Sequence, residues 1–172
     1  NRRKFLDRLT YNFFPDHAKK VATYEHYSRS RIKIIAMGSY DDLWLSGIEK
    51  SMAEVAIEIS QSRTECLDLL NSFIEQQSSE FLKPRLSLRC AVNQKLRDNT
   101  PEDVMQELLS IFKNNRVRDS KAKRSTCGTH LTDLLVVNSS KNIDAAISST
   151  GEQKGMLISI ILGQVKAMNM KQ

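Results

Sequence analysis

Apolar residues recur at three- or four-residue steps along most of the chain, the period of helices packed on one side. Residues 2–13 carry a short pattern of this kind. Pro15 and Asp16 suit a helix start, and the pattern then runs to Gly38 with Tyr24, Tyr27 and Ile34 or Ile35 on its apolar side. The stretch Gly38-Ser39-Tyr40-Asp41-Asp42 breaks it, and Asp41 or Asp42 can cap the next helix. That helix has the clearest period in the chain: Trp44, Ile48, Met52, Val55, Ile59, Cys66, Leu70 and Phe73, with Ser62 filling one slot. This is close to a heptad seam. It predicts a helix of about 35 residues, roughly 50 Å long, ended by Ser78-Ser79-Glu80. Such a helix needs a partner along its length. The preceding helix, joined by a short turn, would pair with it antiparallel; a separate coiled-coil dimer is the rival.

The period then changes. Residues 86–92 alternate apolar with polar and predict a strand. Thr100-Pro101-Glu102-Asp103 combines a capping hydroxyl, a proline at the first helical position and acids in the first turn. The helix it starts buries Val104, Leu108, Ile111 and Phe112 and should fade near Arg116. Leu134-Leu135-Val136-Val137 reads as a strand, residues 138–142 as a turn and residues 143–147 as a weaker strand. After Ser149-Thr150-Gly151-Glu152 a last helix begins, and Met156, Leu157, Ile160, Ile161 and Val165 form a broad face that predicts deep burial. The fold expected is mainly α with a small β portion: a long antiparallel helix pair, short strands, then a buried final helix. The expected division is a helical lobe over residues 1–125, with one strand near 86–92, and a strand segment with the final helix over residues 126–172.

A chain of 172 residues can bury one real core, and 40% hydrophobic with 27% charged residues reads as globular. No run of apolar residues is long enough to predict a membrane span. Asp7 and Arg8 interrupt any apolar stretch behind the basic start, which argues against a signal peptide. The first residue is not Met and the last falls in a helical pattern, which suggests a piece of a longer protein. Three widely spaced cysteines without a Cys-x-x-Cys pair read as free thiols in a reducing, cytoplasmic compartment. No His or Cys pair has ligand spacing, so no metal is expected.

The net charge of +6 thickens at Arg2, Arg3, Lys4 and Arg8, and again at Lys113, Arg116, Arg118, Lys121, Lys123 and Arg124, opposed only by Asp119. Such a surplus favours polyanions, and these residues are candidate DNA contacts. His17 and His26 read as surface histidines, and Glu25, Glu49, Glu54, Glu58 and Glu65 as a solvated face. Trp44 reads as a packing residue rather than a base-stacking platform.

The most informative stretch is Ser148-Ser149-Thr150-Gly151-Glu152-Gln153-Lys154. It joins a hydroxyl cap, a glycine that lets a ligand approach the backbone, and the unpaired N–H groups of a helix start. Together these make an anion site, although an ordinary capped helix uses the same residues. Ser149 lacks the Gly-x-Ser-x-Gly elbow of a hydrolase. No Gly-x-x-x-x-Gly-Lys-Ser/Thr phosphate loop occurs, and no apolar strand ending in Asp-Asp or Asp-Glu follows the last helix.

Four stretches, in order along nearly the whole chain, resemble the RecF family, bacterial DNA replication and repair ATPases of the ABC type shared with SMC proteins. Ser149-Thr150-Gly151-Glu152-Gln153-Lys154 is similar to the family signature, followed by its apolar helix. Arg2-Arg3-Lys4-Phe5-Leu6-Asp7 resembles its arginine-rich Phe-Leu-Asp helix. Residues 24–35 with Trp44 resemble the helix pair of its second lobe. Residues 124–130 resemble the segment that in the family usually leads through Gly-Pro-His-Arg-Asp-Asp. Gly128, His130 and Asp133 match that segment, while Thr129 replaces its Pro, Leu131 its Arg and Thr132 its first Asp.

The resemblance implies that ATP and Mg²⁺ belong to the complete protein and that neither is held by this chain alone. Without Walker A and Walker B segments the chain is inactive by itself. It also implies an ATP-dependent homodimer in which Ser149, Thr150, Gly151, Glu152, Gln153 and Lys154 complete the nucleotide site of the partner subunit. That dimer would clamp gapped duplex or single-stranded DNA and act with RecO and RecR, away from membranes. Two other classes remain open: a non-enzymatic helical adaptor that docks a partner through the long seam, and a nucleic-acid-binding module resting on the basic segment alone.

Overall fold

The computed structural model describes residues 2–77 and 81–170. In chain order the elements are α1 (Arg2–Phe13), α2 (His17–Ala36), α3 (Asp42–Glu75), β1 (Pro84–Arg89), α4 (Ala91–Asp98), α5 (Pro101–Asn114), α6 (Arg116–Ala122), β2 (Asp133–Asn138), β3 (Ile143–Asp144) and α7 (Thr150–Asn169). The chain is mainly α with one small antiparallel sheet. It packs as two units, both discontinuous: residues 1–15, 63–89 and 133–172 form one, residues 16–62 and 90–132 the other. β1 pairs with β2 and so packs with the strand segment.

In the first unit the sheet order is β1-β2-β3, with Leu86 opposite Val136 and Leu88 opposite Leu134. The outer edge of β1 is covered from α3. Asn71 Nδ2 donates to the Leu86 carbonyl and its Oδ1 accepts from the Leu86 N–H, both at 2.9 Å, so one amide side chain satisfies what an edge strand leaves open. The core joins Leu6, Leu9 and Phe13 of α1 to Cys66, Leu67, Leu70 and Ile74 of α3, Leu86, Leu88 and Leu134 of the sheet, and Ile160 and Ala167 of α7. Asp7 is tied in by Arg63, whose Nε and a terminal nitrogen both donate to Oδ1 at 3.0 and 2.8 Å.

α7 is buried on one stripe only: Met156, Ser159, Ile160, Gly163 and Ala167. Small residues bring it close to the end of α3, where a Cβ at Gly163 would stand 3.0 Å from Ile74. The deep burial expected of its broad apolar face is therefore corrected. Leu157, Ile161 and Val165 are 44, 47 and 51% exposed, because helical geometry turns them away from the stripe that meets the core. The weaker strand is also shorter than expected, with residues 145–147 closing into a 3₁₀ turn.

In the second unit α2 and the first part of α3 run antiparallel. Lys20 pairs with Glu58 and Arg31 with Glu49. Asp41 caps α3, its Oδ1 accepting from the N–H groups of Leu43 and Trp44. Thr100 caps α5 and accepts from the Asp103 N–H. The buried stripe of α3 starts at Leu45, which packs on Ile34 and Ile35. Trp44 lies about 100° round the helix from Leu45 and is 59% exposed, which corrects its reading as a packing residue. The expected end of α3 at Ser78-Ser79-Glu80 lies outside the described residues; the helix closes at Glu75.

Two short helices were not expected. The strand pattern of residues 86–92 stops at Arg89, and α4 comes next, placing Val92 and Leu96 against the core. The fade near Arg116 is instead the start of α6.

The charged core of this unit is its main surprise. Glu49, read as part of a solvated face, is buried, as is His17. Arg31 is fully buried and donates from Nε to Glu49 at 2.9 Å, from one terminal nitrogen to Asp119 at 2.6 Å and from the other to the Phe112 carbonyl at 2.6 Å. Arg116 donates twice to Glu49, at 3.0 and 2.7 Å, and once to Asp42. Two guanidinium forks thus share one carboxylate.

Candidate functional site

The N-terminus of α7 is built by a reciprocal cap. The Ser149 Oγ accepts from the Glu152 N–H at 3.3 Å, and the Glu152 carboxylate accepts from the Ser149 N–H at 2.8 Å. Lys141, in the turn between β2 and β3, donates to the same carboxylate at 2.6 Å. Lys141 first, then the Ser149 N–H and hydroxyl, hold the Glu152 carboxyl down to about 2. Gln153 folds back, its Nε2 donating to the carbonyls of Ala145 at 2.9 Å and Ser148 at 3.1 Å. So Glu152 and Gln153 shape the turn, and the Glu152 charge is answered within it.

That leaves the outer surface of the turn to Ser149, Thr150, Gly151 and Lys154, all exposed. A Cβ built on Gly151 would meet nothing within 4 Å, so a ligand has open approach to the backbone. The first N–H groups of a helix lack intrahelical partners and carry its positive end. An anion brought to this surface would meet them, the Ser149 hydroxyl and the Lys154 ammonium. Arg2, expected among DNA contacts, lines a cleft of about 260 Å³ with Asp144 and Gln153 beside this turn, and its guanidinium donates to Asp133 at 2.6 Å. Arg89 donates to the same Asp133 oxygen at 2.9 Å. Asp133 therefore anchors two arginines, and Arg3 is half-buried next to one of them.

The basic segment divides sharply. Lys113, Arg118, Lys121, Lys123 and Arg124 are exposed on α5, α6 and the turn after it. Arg116 is not one of this surface set. It is buried, and its charge is spent on Glu49 and Asp42, which also raise its pKa, Glu49 more strongly.

Gly128 and His130 fix the loop after α6. Gly128 has φ 134° and ψ 177°, a conformation all but reserved for glycine, and a Cβ there would fall 1.9 Å from the Tyr24 hydroxyl. The His130 Nε2 lies 3.0 Å from the Ser125 carbonyl, and its Nδ1 lies 3.0 Å from the Tyr24 hydroxyl. A carbonyl only accepts, so Nε2 carries the proton and, in the neutral ring, Nδ1 accepts from Tyr24. Asp133 belongs to the other unit. The sequence does not single out Lys141, Arg89, Arg29 or Lys33: Arg89 meets Asp133 and Lys141 meets Glu152 across the fold, Arg29 and Lys33 face residues about ninety positions on, and no local motif marks them.

Among the described residues no group of His, Cys, Asp and Glu is arranged to hold a metal ion, and no helix is long and apolar enough to cross a membrane.

No family model matches the chain. The DNA replication and repair protein RecF of Rickettsia bellii (strain OSU 85-389) is 41% identical over 165 residues, covering 96% of this chain and 46% of that protein. The protein of the same name from Rickettsia akari (strain Hartford) is 39% identical over 165 residues, with the same coverage of 96% and 46%. Two solved structures share the fold. The recombination mediator protein RecF-ATPrS in the RecFOR pathway superposes with a TM-score of 0.82 at 16% identity, covering 99% of this chain and 47% of that one. The RecF-ATP form gives a TM-score of 0.80 at 16% identity, covering 96% and 45%. The chain spans about half the length of the curated relatives it matches.

Proposed function

Because the chain belongs to the RecF family, over the half of a RecF protein that it spans, we propose that its α7 turn completes the ATP site of a partner subunit in a DNA-repair ATPase. The observation that carries this is the capped yet open helix start: Ser149, Thr150, Gly151 and Lys154 are exposed, while the Glu152 carboxylate and the Gln153 amide are hydrogen-bonded within the turn. ATP and Mg²⁺ would be held by the part of the protein outside this chain, and Mg²⁺ would there offset phosphate charge. The residues here would do the rest. Ser149 would redirect its hydroxyl proton from Glu152 to a γ-phosphate oxygen of the partner. The N–H groups of Thr150 and Gly151 would add the positive end of the helix, and Lys154 a full charge. Glu152, neutralised by Lys141, would keep the turn in shape without repelling the phosphates.

In this reading ATP joins two subunits into a homodimer that grips gapped or single-stranded DNA, together with RecO and RecR and in the cytoplasm. The exposed cations Lys113, Arg118, Lys121, Lys123 and Arg124 are the DNA contacts proposed, with Arg2 and Arg3 secondary because Arg2 is engaged by Asp133. An adaptor that docks partners through the α3 seam is disfavoured, since Met52, Ile59, Cys66 and Leu70 are spent on internal cores.

The test is Ser149→Arg in the complete protein. Nucleotide affinity by equilibrium titration should stay near the wild-type value, while the dimer fraction seen by light scattering with ATP should collapse. A variant that still dimerises with ATP, or that loses ATP affinity as a monomer, would remove Ser149 from this role.

A further inference from the structure

Beside the basic segment lies a surface cleft of about 340 Å³ that no sequence motif announces. It is lined from α2 by Arg29 and Lys33 and from the loop after α6 by Lys123, Arg124, Ser125 and His130. Four of its lining residues are cations and none is a carboxylate. Lys33, Lys123 and Arg124 form no ion pair among the described residues, and Arg29 has only a loose one, 3.9 Å from Glu25. Like charges are placed together without internal compensation, at an electrostatic cost that an anion would relieve.

The cleft is also held in shape. Lys123 adopts the left-handed conformation, φ 53°, at the C-terminus of α6, and the Arg124 N–H donates to the Asp119 carbonyl. Asp119 Oδ1 accepts from both the N–H and the hydroxyl of Thr126. His130 then bridges Ser125 to Tyr24 of α2, closing the loop against the helix that supplies Arg29 and Lys33.

We propose that this cleft is a phosphate site that seats a backbone phosphodiester of nucleic acid, with Arg29 and Lys33 as contacts alongside Lys123 and Arg124. It rests on the DNA-contact reading above and extends it to α2. A free phosphate or nucleotide is the other source of the same chemistry. The open cleft favours the backbone: its cations are exposed side chains at the surface, suited to a strand that continues past them.

The probe is a fluorescein-labelled 20-base-pair duplex, read by anisotropy from 50 to 200 mM NaCl. Each phosphate contact contributes about 0.9 to the slope of log affinity on log salt. Arg29→Ala/Lys33→Ala should therefore flatten the slope by about 2 and weaken binding about tenfold or more at 100 mM. Lys19→Ala/Lys166→Ala removes the same charge elsewhere and should change the slope little. Tyr24→Phe keeps every cation but loosens the His130 bridge, and should weaken binding by a smaller factor.

Wild-type binding with an unchanged slope in Arg29→Ala/Lys33→Ala would overturn the cleft. If Lys121→Ala/Lys123→Ala/Arg124→Ala then still flattened the slope, the broader DNA-contact reading would stand without it. Wild-type protein with no salt-dependent binding would remove both. Displacement of the duplex by millimolar inorganic phosphate at fixed ionic strength would assign the cleft to a free anion instead.

Discussion

Arg31 is the residue whose loss should harm the second unit most. It is fully buried and makes three hydrogen bonds, to Glu49, Asp119 and the Phe112 carbonyl, with its guanidinium 5.5 Å from the centre of the Phe112 ring. Arg31→Met keeps the stem and removes the fork. Breaking a buried pair from one side costs roughly 3–5 kcal/mol, because the partner charge is left uncompensated. Here both carboxylates keep other donors: Glu49 retains Arg116, and Asp119 retains Thr126. That places the loss at the lower end, about 3 kcal/mol, with the orphaned Phe112 carbonyl adding to it. At about 2–4 °C per kcal/mol for a chain of this size, Tm should fall by roughly 6–12 °C. Arg31→Lys restores charge but reaches one partner at a time, so it should recover less than half of the loss. Urea unfolding followed by far-UV circular dichroism measures both. A loss below about 1 kcal/mol for Arg31→Met, or full recovery by Lys, would show that the fork geometry contributes nothing.

Gly128→Ala should destabilise by about 1–3 kcal/mol or more, since the backbone at φ 134° excludes a Cβ and Tyr24 occupies its place; a neutral result in urea would mean the loop shifts freely. Glu152 has a folded pKa near 2, below its ordinary 4.5, so the stability it adds is complete above about 4.5 and is lost as pH falls towards 2. The stability difference between wild type and Glu152→Gln should therefore shrink across that window in acid titrations, and a difference constant with pH would refute the cap and the Lys141 pair. Burial pushes the Cys127 thiol up, so in the folded protein it should alkylate more slowly at pH 8 than a free cysteine, with Cys66 and Cys90 reacting only on unfolding.

What the sequence made legible was local. Thr100 and Pro101 carry their helix start within four residues, and the Ser149 cap closes on Glu152 three residues away. The long helix showed its period because many neighbours bury it. What stayed hidden was pairing over distance. Glu49 is indistinguishable in sequence from Glu54 or Glu58, and only Arg31 and Arg116 decide that it is buried. Arg116 sits among surface cations in the chain but faces inward. The α4 helix was masked because its first residues continue the alternation of β1. The need for glycine at 128 comes from Tyr24, on another helix. The last helix is apolar over a broad face, which conceals that only one stripe meets this core.

The claim that Ser149 serves the partner's nucleotide is tested most directly by mixing two inactive complete proteins. One carries Ser149→Arg with an intact ATP-binding lobe; the other has an intact Ser149 turn and an ATP-binding lobe disabled for nucleotide. Each should hydrolyse no ATP alone. Mixed, they should form one site from the sound lobe of the first and the sound turn of the second, and hydrolysis should return. Mixtures as inactive as their components, under conditions where the two proteins demonstrably associate, would place the role of Ser149 within its own subunit and contradict the trans-acting site.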